Sequence, residues 1–454
     1  MRNANIGHGN LRWDDVATIS KEKAQEFQRF KLDVDDIVIS LDRPIISTGL
    51  KVARITKNDL PCLLLQRVGK FEFKTDEIVP EFFFLWLQSP IFINAIDPGR
   101  SNGVPHISSK SIEAIPFSLP SKEEQKRIVE KCDRLLSICD EIEKRQQQRQ
   151  ESIVRMNESA IAQLLSSQNP DDFRQHWQRI CNNFDLIYSV PETIPKLRQA
   201  ILQLAVQGKL VRQDPNDESA LLVIEKIKHR REYLVKENKI PKLKLYPSIN
   251  NNELPYILPN SWSWQRIDYL CQHVIDCLHS TPKFLEEGKY CIDTTCIKQG
   301  EIIFDKLRFV SEDSFQERIR RLKPQPGDIL FSREGTIGLA VILPEGLEVC
   351  LGQRMMMFRT FNEIVPEYFR YALVSDTFVQ QWQSKLIGTA ARHINIADIR
   401  KMLIPLPPTA EQKRIVEKCD SLMSLCDTLE AKLKQGRDSS EKLMEVAAKQ
   451  VLTA

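Results

Sequence analysis

The chain has 454 residues, too many for one ordinary domain, so we expect two to four domains. The net charge of +3 excludes a histone-like polycation, although a balanced total can hide local basic faces. No run of about 18 apolar residues occurs, the N-terminus lacks an apolar signal-peptide core, and the 11 cysteines are scattered. We therefore expect a cytoplasmic protein rather than a membrane protein or a disulfide scaffold.

An internal repeat organises the chain. The stretch EQKRIVEKCD occurs at Glu124–Asp133 and again at Glu411–Asp420. Towards the N-terminal side the likeness continues in the same order, pairing 106–120 with 393–407, 76–89 with 362–375, 66–67 with 353–354, and 35–40 with 327–332. The sequence therefore predicts two copies of one unit, each a variable globular part followed by a closely matched helix.

The globular parts are predicted to be α/β or α+β. DDIVIS (35–40) and GDILFS (327–332) each indicate a turn that enters a short apolar strand. The segments 76–89 and 362–375 indicate helices, since a proline suits the first turn and apolar residues recur at helical spacing. We assign the aromatic residues of the second segment, such as Tyr368 and Phe369, to core packing.

Long helices follow each globular part. Apolar residues recur at alternating steps of four and three, which predicts a heptad seam. The seam positions are Ile128, Cys132, Leu135, Cys139 and Ile142 in the first helix, and Ile415, Cys419, Leu422, Cys426 and Leu429 in the second. The cysteines could instead form a metal site or disulfides, but small buried hydrophobes suit seam positions better. Ser121 with Glu124, and Thr409 with Gln412, resemble capping boxes.

A connecting region separates the two copies. LRQAILQLAVQGKL (197–210) is predicted to be an amphipathic helix closed by Gly208, and 219–238 is a second helix with one basic side. That basic side could touch nucleic acid, although a solvated face is the simpler hypothesis. The Pro- and Asn-rich stretch that follows is typical of a linker.

Motifs for self-contained catalysis are missing from the sequence. It has no Walker phosphate loop, no G-x-G-x-x-G, no [DN]-P-P-[YF] methylase tetrapeptide and no H-E-x-x-H. Cys271, His273, Cys277 and His279 lie close together, but their spacing matches no standard zinc finger. On a strand all four would share one face, so zinc stays an open alternative. A self-contained nuclease is poorly supported.

Two matched domains held apart by helices suit a ligand with a regular repeat. A helix of some 40 residues spans on the order of 60 Å. Duplex DNA with two half-sites fits this layout, since the spacing of the half-sites is then set by geometry. The matched helices could offer a constant docking surface while the globular parts diverge.

The chain resembles the specificity subunit of type I restriction-modification systems. The residues that carry this resemblance are 404–433, its partner copy 115–145, the connecting stretch LRQAILQLAVQGKLVRQDPND (197–217), and LPNSWSWQRI (258–267). The resemblance implies tandem α/β (α+β) target-recognition domains, separated by long antiparallel coiled-coil helices in a pseudo-two-fold repeat. It also implies a non-catalytic protein that reads a bipartite target in double-stranded DNA for anti-phage defence.

The same resemblance implies partners and cofactors. Two modification (methyltransferase) subunits would dock on the chain and methylate DNA, and restriction (translocase/nuclease) subunits would join them. No cofactor is expected on this chain, because S-adenosylmethionine, ATP and Mg are expected on the partner subunits.

The resemblance divides the chain into five parts. They are a first target-recognition domain (1–118), a first helix (119–167), a connecting helical region and linker (168–257), a second target-recognition domain (258–406) and a second helix (407–454). The second copy has 258–290 before the part that matches Met1 onward, so the first domain is expected to be truncated at its N-terminus. The alternative function is therefore a coiled-coil scaffold with a defective first domain and half-site DNA binding only.

Candidate DNA contacts are polar or basic residues near loop ends, the types that read base edges and phosphates. In the first domain they are Arg43, Lys51, Arg67, Arg100, Asn102, His106 and Lys110. In the second they are Thr281, Lys283, Arg333, Arg354, Lys385, Thr389, Arg392 and His393. His106 and His393 occupy matching positions, which a shared structural role explains better than base reading.

Overall fold

A computed structural model describes residues 1–96, 106–298, 300–387 and 392–453. They form two compact units, Met1–Gln148 and Arg149–Ala454. The boundary falls inside one continuous helix, so the first long helix contributes residues to both units. No helix in these described ranges combines the length and the apolar character needed to span a membrane.

The first unit is built around a small antiparallel sheet. Its helices and strands are α1 (Lys21–Gln25), β1 (Ile37–Ser40), β2 (Ile45–Ile46), β3 (Gly49–Leu50), β4 (Val52–Arg54), β5 (Val68–Lys70), α2 (Pro80–Leu87), α3 (Pro90–Ile96), α4 (Ser109–Glu113) and the start of α5 (Lys122–Leu165). The central strand β1 lies between β4 and β5. Ile37 and Ile39 pack towards α2, while Val38 packs into a second cluster on the opposite face. Both faces are covered, which explains why DDIVIS is apolar without alternation.

The second unit begins with helices and continues into a larger mixed fold. Its elements after α5 are α6 (Pro170–Asn182), α7 (Phe184–Ile187), α8 (Ile194–Val206), α9 (Ala220–Lys236), β6 (Ser263–Arg266), α10 (Ile267–Leu270), β7 (Cys271–Asp276), β8 (Lys289–Ile292), β9 (Ile297–Lys298), β10 (Glu301–Ile302), β11 (Arg308–Val310), α11 (Glu312–Ile319), β12 (Ile329–Ser332), β13 (Ala340–Ile342), β14 (Val349–Leu351), β15 (Met355–Thr360), α12 (Pro366–Leu373), α13 (Asp376–Gln383), α14 (Ile396–Ile399), β16 (Leu403–Leu406) and α15 (Thr409–Thr453). The predicted α+β class and the predicted helices are confirmed.

The sheets of the two units repeat the same pairing. In the first, Val38 of β1 lies opposite Ala53 and Lys70; in the second, Leu330 of β12 lies opposite Val341. On its other side β12 pairs with β15, as β1 pairs with β5. The second sheet has a fourth strand, β7, beside β15, whereas the sheet in the described part of the first unit has three. The internal repeat predicted from sequence is therefore present in the fold.

The two long helices run antiparallel within the second unit. Lys209 donates to the carbonyl oxygen of Leu165 at the end of α5, and Gln213, four residues later, contacts Glu411 at the start of α15. Further from these ends, Asn157 of α5 and Cys426 of α15 both neighbour Tyr188, whose pKa is raised to about 12 by burial. The residue numbers therefore change in opposite directions along the two helices, as predicted.

A glutamine fixes the start of each long helix. Gln125 accepts a hydrogen bond from the backbone N–H of Val79 at 2.8 Å and donates to the carbonyl oxygens of Glu77 and Pro120. Gln412 likewise accepts from the N–H of Val365 at 2.8 Å. It also donates to the carbonyl oxygens of Glu363 and Pro407. Both glutamine side chains are fully buried, and buried polar groups need hydrogen-bond partners. The same three bonds therefore attach each helix to its globular part.

The predicted capping box at Thr409 is wrong, and Ser121 makes one of the two bonds of its predicted box. Ser121 accepts a bond from the N–H of Glu124 at 3.3 Å, as a cap does. Thr409 instead lies inside α15 and donates its hydroxyl to the carbonyl oxygen of Glu363. Its partner Gln412 cannot complete a box, because its side chain binds the globular part.

Candidate nucleic-acid interface

A cluster around Asp42 follows the central strand of the first unit. The Asp42 carboxylate accepts from Arg67 at 3.2 Å and from Asn3 at 3.0 Å, and lies 2.9 Å from Nδ1 of His106. The backbone of Leu41 is hydrogen bonded to Arg67 and to the residue after His106. These bonds place an arginine and a histidine side chain on one carboxylate, with 56% and 59% of their surfaces exposed.

Two further predicted residues lie beside this carboxylate. Arg43 is exposed and adopts a left-handed backbone conformation with φ of 46°. Lys51 is half-buried, and its pKa is lowered mainly by burial and also by the charge of Arg43, while Asp42 opposes the shift. The structure therefore brings four of the predicted first-domain residues together around Asp42: Arg43, Lys51, Arg67 and His106.

The second unit has a similar arrangement at the matching positions, with its histidine held through the backbone. Glu334 follows the central strand β12, and its carboxylate lies 3.3 Å from Nε of Arg354. The backbone of Glu334 pairs with that of His393, as Asp42 pairs with His106. Both bridges support the shared structural role expected for the two histidines. We call these two groups the acid–arginine–histidine clusters.

Both clustered arginines have an unusual backbone. Arg67 has φ of 67° and Arg354 has φ of 73°, in the left-handed region that costs a non-glycine residue free energy. Such strain concentrates at functional sites. Each guanidinium has five N–H donors, and 45% of the Arg354 side chain is exposed. An exposed, tethered guanidinium is suited to donate to DNA phosphates or to the O6 and N7 atoms of guanine.

Arg333 is a correction to the predicted set of DNA contacts. Its Nε donates to Asp276 at 2.7 Å and its side chain is only 5% exposed. A second contact reaches the carbonyl oxygen of Ile394. Burial and pairing with β7 make this arginine a structural residue, because its donors face the protein interior rather than a ligand.

The remaining second-domain residues surround the same loops. Thr281 donates to Gln353 at 2.7 Å, which places it next to Arg354. The carbonyl oxygen of Arg392 accepts from the N–H of Gly335, so this exposed residue lies beside the cluster. Lys283 and Lys385 are exposed on neighbouring segments.

The other first-domain candidates are less informative. Lys110 is exposed on the short helix α4, after the His106 bridge. Three predicted residues lie outside the described ranges: Arg100, Asn102 and Thr389.

The cysteine and histidine residues considered for zinc are used in packing and pairing. Cys271 and Cys277 are buried, and burial raises the pKa of both thiols. His273 has a lowered pKa, first because it is half-buried and second because Arg359 is near. Within the described ranges, no group of three or more His, Cys, Asp or Glu residues is placed to hold a metal ion.

The predicted seam positions have different surroundings in the two helices. In α15, Ile415, Cys419 and Cys426 are buried in a cluster with α8 and the end of α5. Leu422 and Leu429 are partly buried against the same cluster. In α5 the corresponding side chains are more open: Ile128 and Cys132 are half-buried, and Leu135, Cys139 and Ile142 are exposed. The prediction of a packed seam over residues 128–142 is therefore wrong in this structure. The packed part of α5 lies nearer its C-terminal end, at residues such as Ile161 and Leu164.

Sequence reasoning missed the acidic members of the clusters. Asp42 and Glu334 stand two residues after matching strand-end serines, so comparing the two copies could have found them. The hydrogen bonds that Gln125 and Gln412 make to their own globular parts were also missed, although both residues belong to the repeated ten. Glu411 was missed too: it is buried and accepts from Trp262 at 2.9 Å.

Comparison with known proteins finds two matching regions, one for each copy of the internal repeat. The family profile described as "Type I restriction modification DNA specificity domain" matches residues 3–151 and 279–436. The EcoAI specificity subunit of Escherichia coli, a type I restriction enzyme subunit, is 54% identical over 142 residues, covering 31% of this chain and 24% of that protein. The EcoEI specificity subunit of Escherichia coli is 26% identical over 378 residues, covering 80% of this chain and 63% of that protein.

A solved structure on complex assembly and conformational transition of the type I R-M system is 16% identical, with a TM-score of 0.46, and covers 91% of this chain and 80% of that chain. The chain spans 24% and 63% of the lengths of the two curated relatives, so less than two thirds of each.

Proposed function

The chain belongs to the type I restriction modification DNA specificity family, and we propose that it reads a bipartite target in double-stranded DNA. Each unit would read one half of the target. The observation that carries this proposal is the pair of acid–arginine–histidine clusters. In both, an exposed, strained arginine just before the strand that pairs with the central strand lies against the acidic residue that follows the central strand. An arginine that donates bidentately to guanine discriminates between bases by about 1–3 kcal/mol.

In this proposal the chain is not itself an enzyme. Two modification subunits would bind S-adenosylmethionine and methylate the recognised DNA, while restriction subunits would use ATP and Mg for translocation and cleavage. The chain would supply sequence recognition and attachment surfaces. The names of its relatives, which are specificity subunits of type I restriction enzymes, support this division of work.

The proposal is tested first in cells. Genome-wide mapping of methylated bases, with and without this gene, should give a split sequence motif that disappears on deletion and returns on complementation. A methylation pattern unchanged by deletion would contradict the proposed function.

The clusters are tested separately with the chain assembled on its modification subunits. Arg67→Gln and Arg354→Gln are each expected to weaken binding to the specific duplex by about 1–3 kcal/mol if a base is read. If only a phosphate is contacted, the slope of binding against salt should fall by about one instead. Arg145→Gln is the matched control, since Arg145 is an exposed arginine on α5 paired with Glu141. Wild-type binding by both cluster variants would exclude the clusters as the site.

One observation favours the alternative, a scaffold that binds only a half-site. The second unit has a fourth strand, β7, and a covered long helix, whereas the described first unit has three strands in its sheet. If Arg354→Gln weakens binding and Arg67→Gln has no effect, the chain reads one half-site and the alternative holds.

A further inference from the structure

The central strands of the two units are followed by residues with the same backbone bonds and different side chains. In the first unit, Leu41 donates its N–H to the carbonyl oxygen of Arg67 and accepts from a second neighbouring segment. In the second unit, Arg333 makes the matching bonds, to the carbonyl oxygen of Arg354 and from the N–H of Ile394. Since a leucine supports the same backbone pairing, the side chain of Arg333 is not required for it.

The Arg333 side chain instead reaches the segment that follows β7, residues 277–281, which we call the β7 loop. Its Nε donates to Asp276 at the end of β7 at 2.7 Å, and its Nη2 lies 3.3 Å from Nδ1 of His279. The arginine side chain is 5% exposed, whereas that of His279 is 74% exposed. A buried cation therefore holds an exposed imidazole on a loop that comes from the fourth strand of this sheet.

A second buried arginine holds the same loop. Arg318 of α11 donates to the carbonyl oxygen of Ser280 at 2.6 Å and to a backbone carbonyl of β14 at 3.0 Å. Gln353 adds a bond to the carbonyl oxygen of His279 at 3.2 Å and accepts from Thr281. Burial of a guanidinium costs desolvation free energy, and here two of them fix one short exposed segment. Such support is typical of a group whose position matters for binding.

The contacts of the His279 ring define which nitrogen can serve a ligand. A guanidinium only donates, so Nδ1 accepts from Arg333 and Nε2 carries the proton. Nε2 lies 3.5 Å from a carboxylate oxygen of Asp276, longer than the roughly 2.7–3.2 Å of an N–H···O bond. The exposed Nε2–H is therefore available to an outside acceptor. In the major groove such acceptors are N7 and O6 of guanine, N7 of adenine and O4 of thymine.

The β7 loop lies next to the acid–arginine–histidine cluster of the second unit. Gln353, which bonds the loop, directly precedes Arg354 in the chain. The backbone of Arg333 in turn connects Arg354 to the segment that follows His393. The exposed groups of His279 and Arg354 are thus carried by neighbouring, mutually bonded segments, as contacts to adjacent bases require.

We propose that His279 reads a base edge in the half-site recognised by the second unit, and that Arg333 is the positioning residue that orients its ring. This inference rests on the proposed function and adds to it a contact that distinguishes the second unit from the first. A phosphate contact depends mainly on charge, whereas a ring held in one orientation suits the directional acceptor of a base. Arg333 acts through His279 and does not itself meet DNA.

Selection of DNA from a library tests the proposal. The full chain assembled on its modification subunits is offered duplexes randomised over both half-sites, and the bound fraction is sequenced. The wild type should select a split motif. His279→Ala should lower the preference at one base pair of one half by about five- to tenfold, the effect of one lost hydrogen bond, and should leave the other half unchanged. His229→Ala, which alters an exposed histidine on α9, is the matched control and should select the wild-type motif.

The positioning role of Arg333 is tested with a neutral pair. Arg333→Gln combined with Asp276→Asn replaces the ion pair by amides that can still bond to each other, which avoids a buried unpaired charge. This double variant should lose preference at the same base pair as His279→Ala, and adding His279→Ala should cause no further loss. Preference at one position is the readout, because partial unfolding would lower binding to every duplex alike. Circular dichroism checks folding.

Each outcome separates the inference from the proposed function. A wild-type motif that His279→Ala leaves unchanged would overturn the inference alone. A loss spread equally over all duplexes, with the slope of binding against salt reduced by about one, would identify a phosphate contact and would also overturn it. Unchanged preference in the neutral-pair variant would remove the positioning role of Arg333. A wild-type complex that selects no motif would contradict the proposed function itself.

Discussion

The two long helices share ten identical residues at their starts, yet those residues have different surroundings. In α15, Glu411, Ile415 and Cys419 are almost fully buried. In α5, Glu124 is exposed and Ile128 and Cys132 are half-buried. Gln125 and Gln412, by contrast, are buried in the same way in both. The identical residues therefore serve two separate attachments. Attachment to the preceding globular part is present in both copies, whereas attachment to the segment 194–217 is present in the second copy.

The largest difference is expected from the first seam position. Ile415→Ala should lower the free energy of unfolding of the second unit by about 2–5 kcal/mol, since a fully buried side chain leaves a cavity. Ile128→Ala should cost clearly less, because that side chain already meets solvent. Urea unfolding with amide exchange resolved by mass spectrometry measures each helix separately. Equal losses would remove the contrast between the helices.

The shared attachment predicts equal effects instead. Gln412→Ala and Gln125→Ala should each cost about 1–3 kcal/mol, because each leaves a buried backbone N–H without its acceptor. The two losses should agree within error in the same exchange experiment. A clear difference between them would show that the two helix starts are not equivalent.

A smaller difference in stability is expected from the ion pair between Arg414 and Asp217. Arg414→Ala should cost about 1 kcal/mol, because it leaves Asp217 nearly buried while the arginine itself was 35% exposed. Arg127→Ala, its matched control, should be close to neutral, as exposed surface substitutions usually are. Double variants with Asp217→Asn should show no additional loss in α15.

The smallest effect is a dependence on pH. Burial raises the pKa of Glu411 above its ordinary value of 4.5, although bonds from Trp262 and Gln213 oppose this. A carboxyl whose pKa is raised in the folded state favours folding more when it is protonated. The second unit should therefore gain stability as the pH falls from above the folded-state pKa of Glu411 towards its ordinary value of 4.5. Glu411→Gln should remove this gain, and Glu124→Gln should not. Thermal unfolding at a series of mildly acidic pH values provides the measurement.

Local pattern was enough to predict the two central strands and the main helices. The uninterrupted apolar runs gave β1 and β12, and helical periodicity gave α8, α9 and both long helices. Comparison of the two copies also predicted that His106 and His393 have matching places. These features depend on neighbours in sequence, which is why a single chain reveals them.

Long-range pairing was not predictable in the same way. The heptad pattern identified an apolar stripe on each helix but could not tell that only one stripe is covered. Arg333 looked like a DNA contact because it ends a strand, and its partner Asp276 lies 57 positions away on β7. The strained backbones of Arg67 and Arg354 likewise arise from tertiary contacts, and no local rule predicts a left-handed arginine.

The paired glutamines have a consequence for how such chains can be recombined. Each bonds only to backbone atoms of the segment before the helix, and none of these bonds depends on which side chains the globular part carries. A graft that exchanges a globular part, but keeps its E-I-V-P segment and the following glutamine, preserves the rotational setting of the helix. Because both copies use the same bonds at this joint, a different globular part can be connected without any change in the helix that follows it.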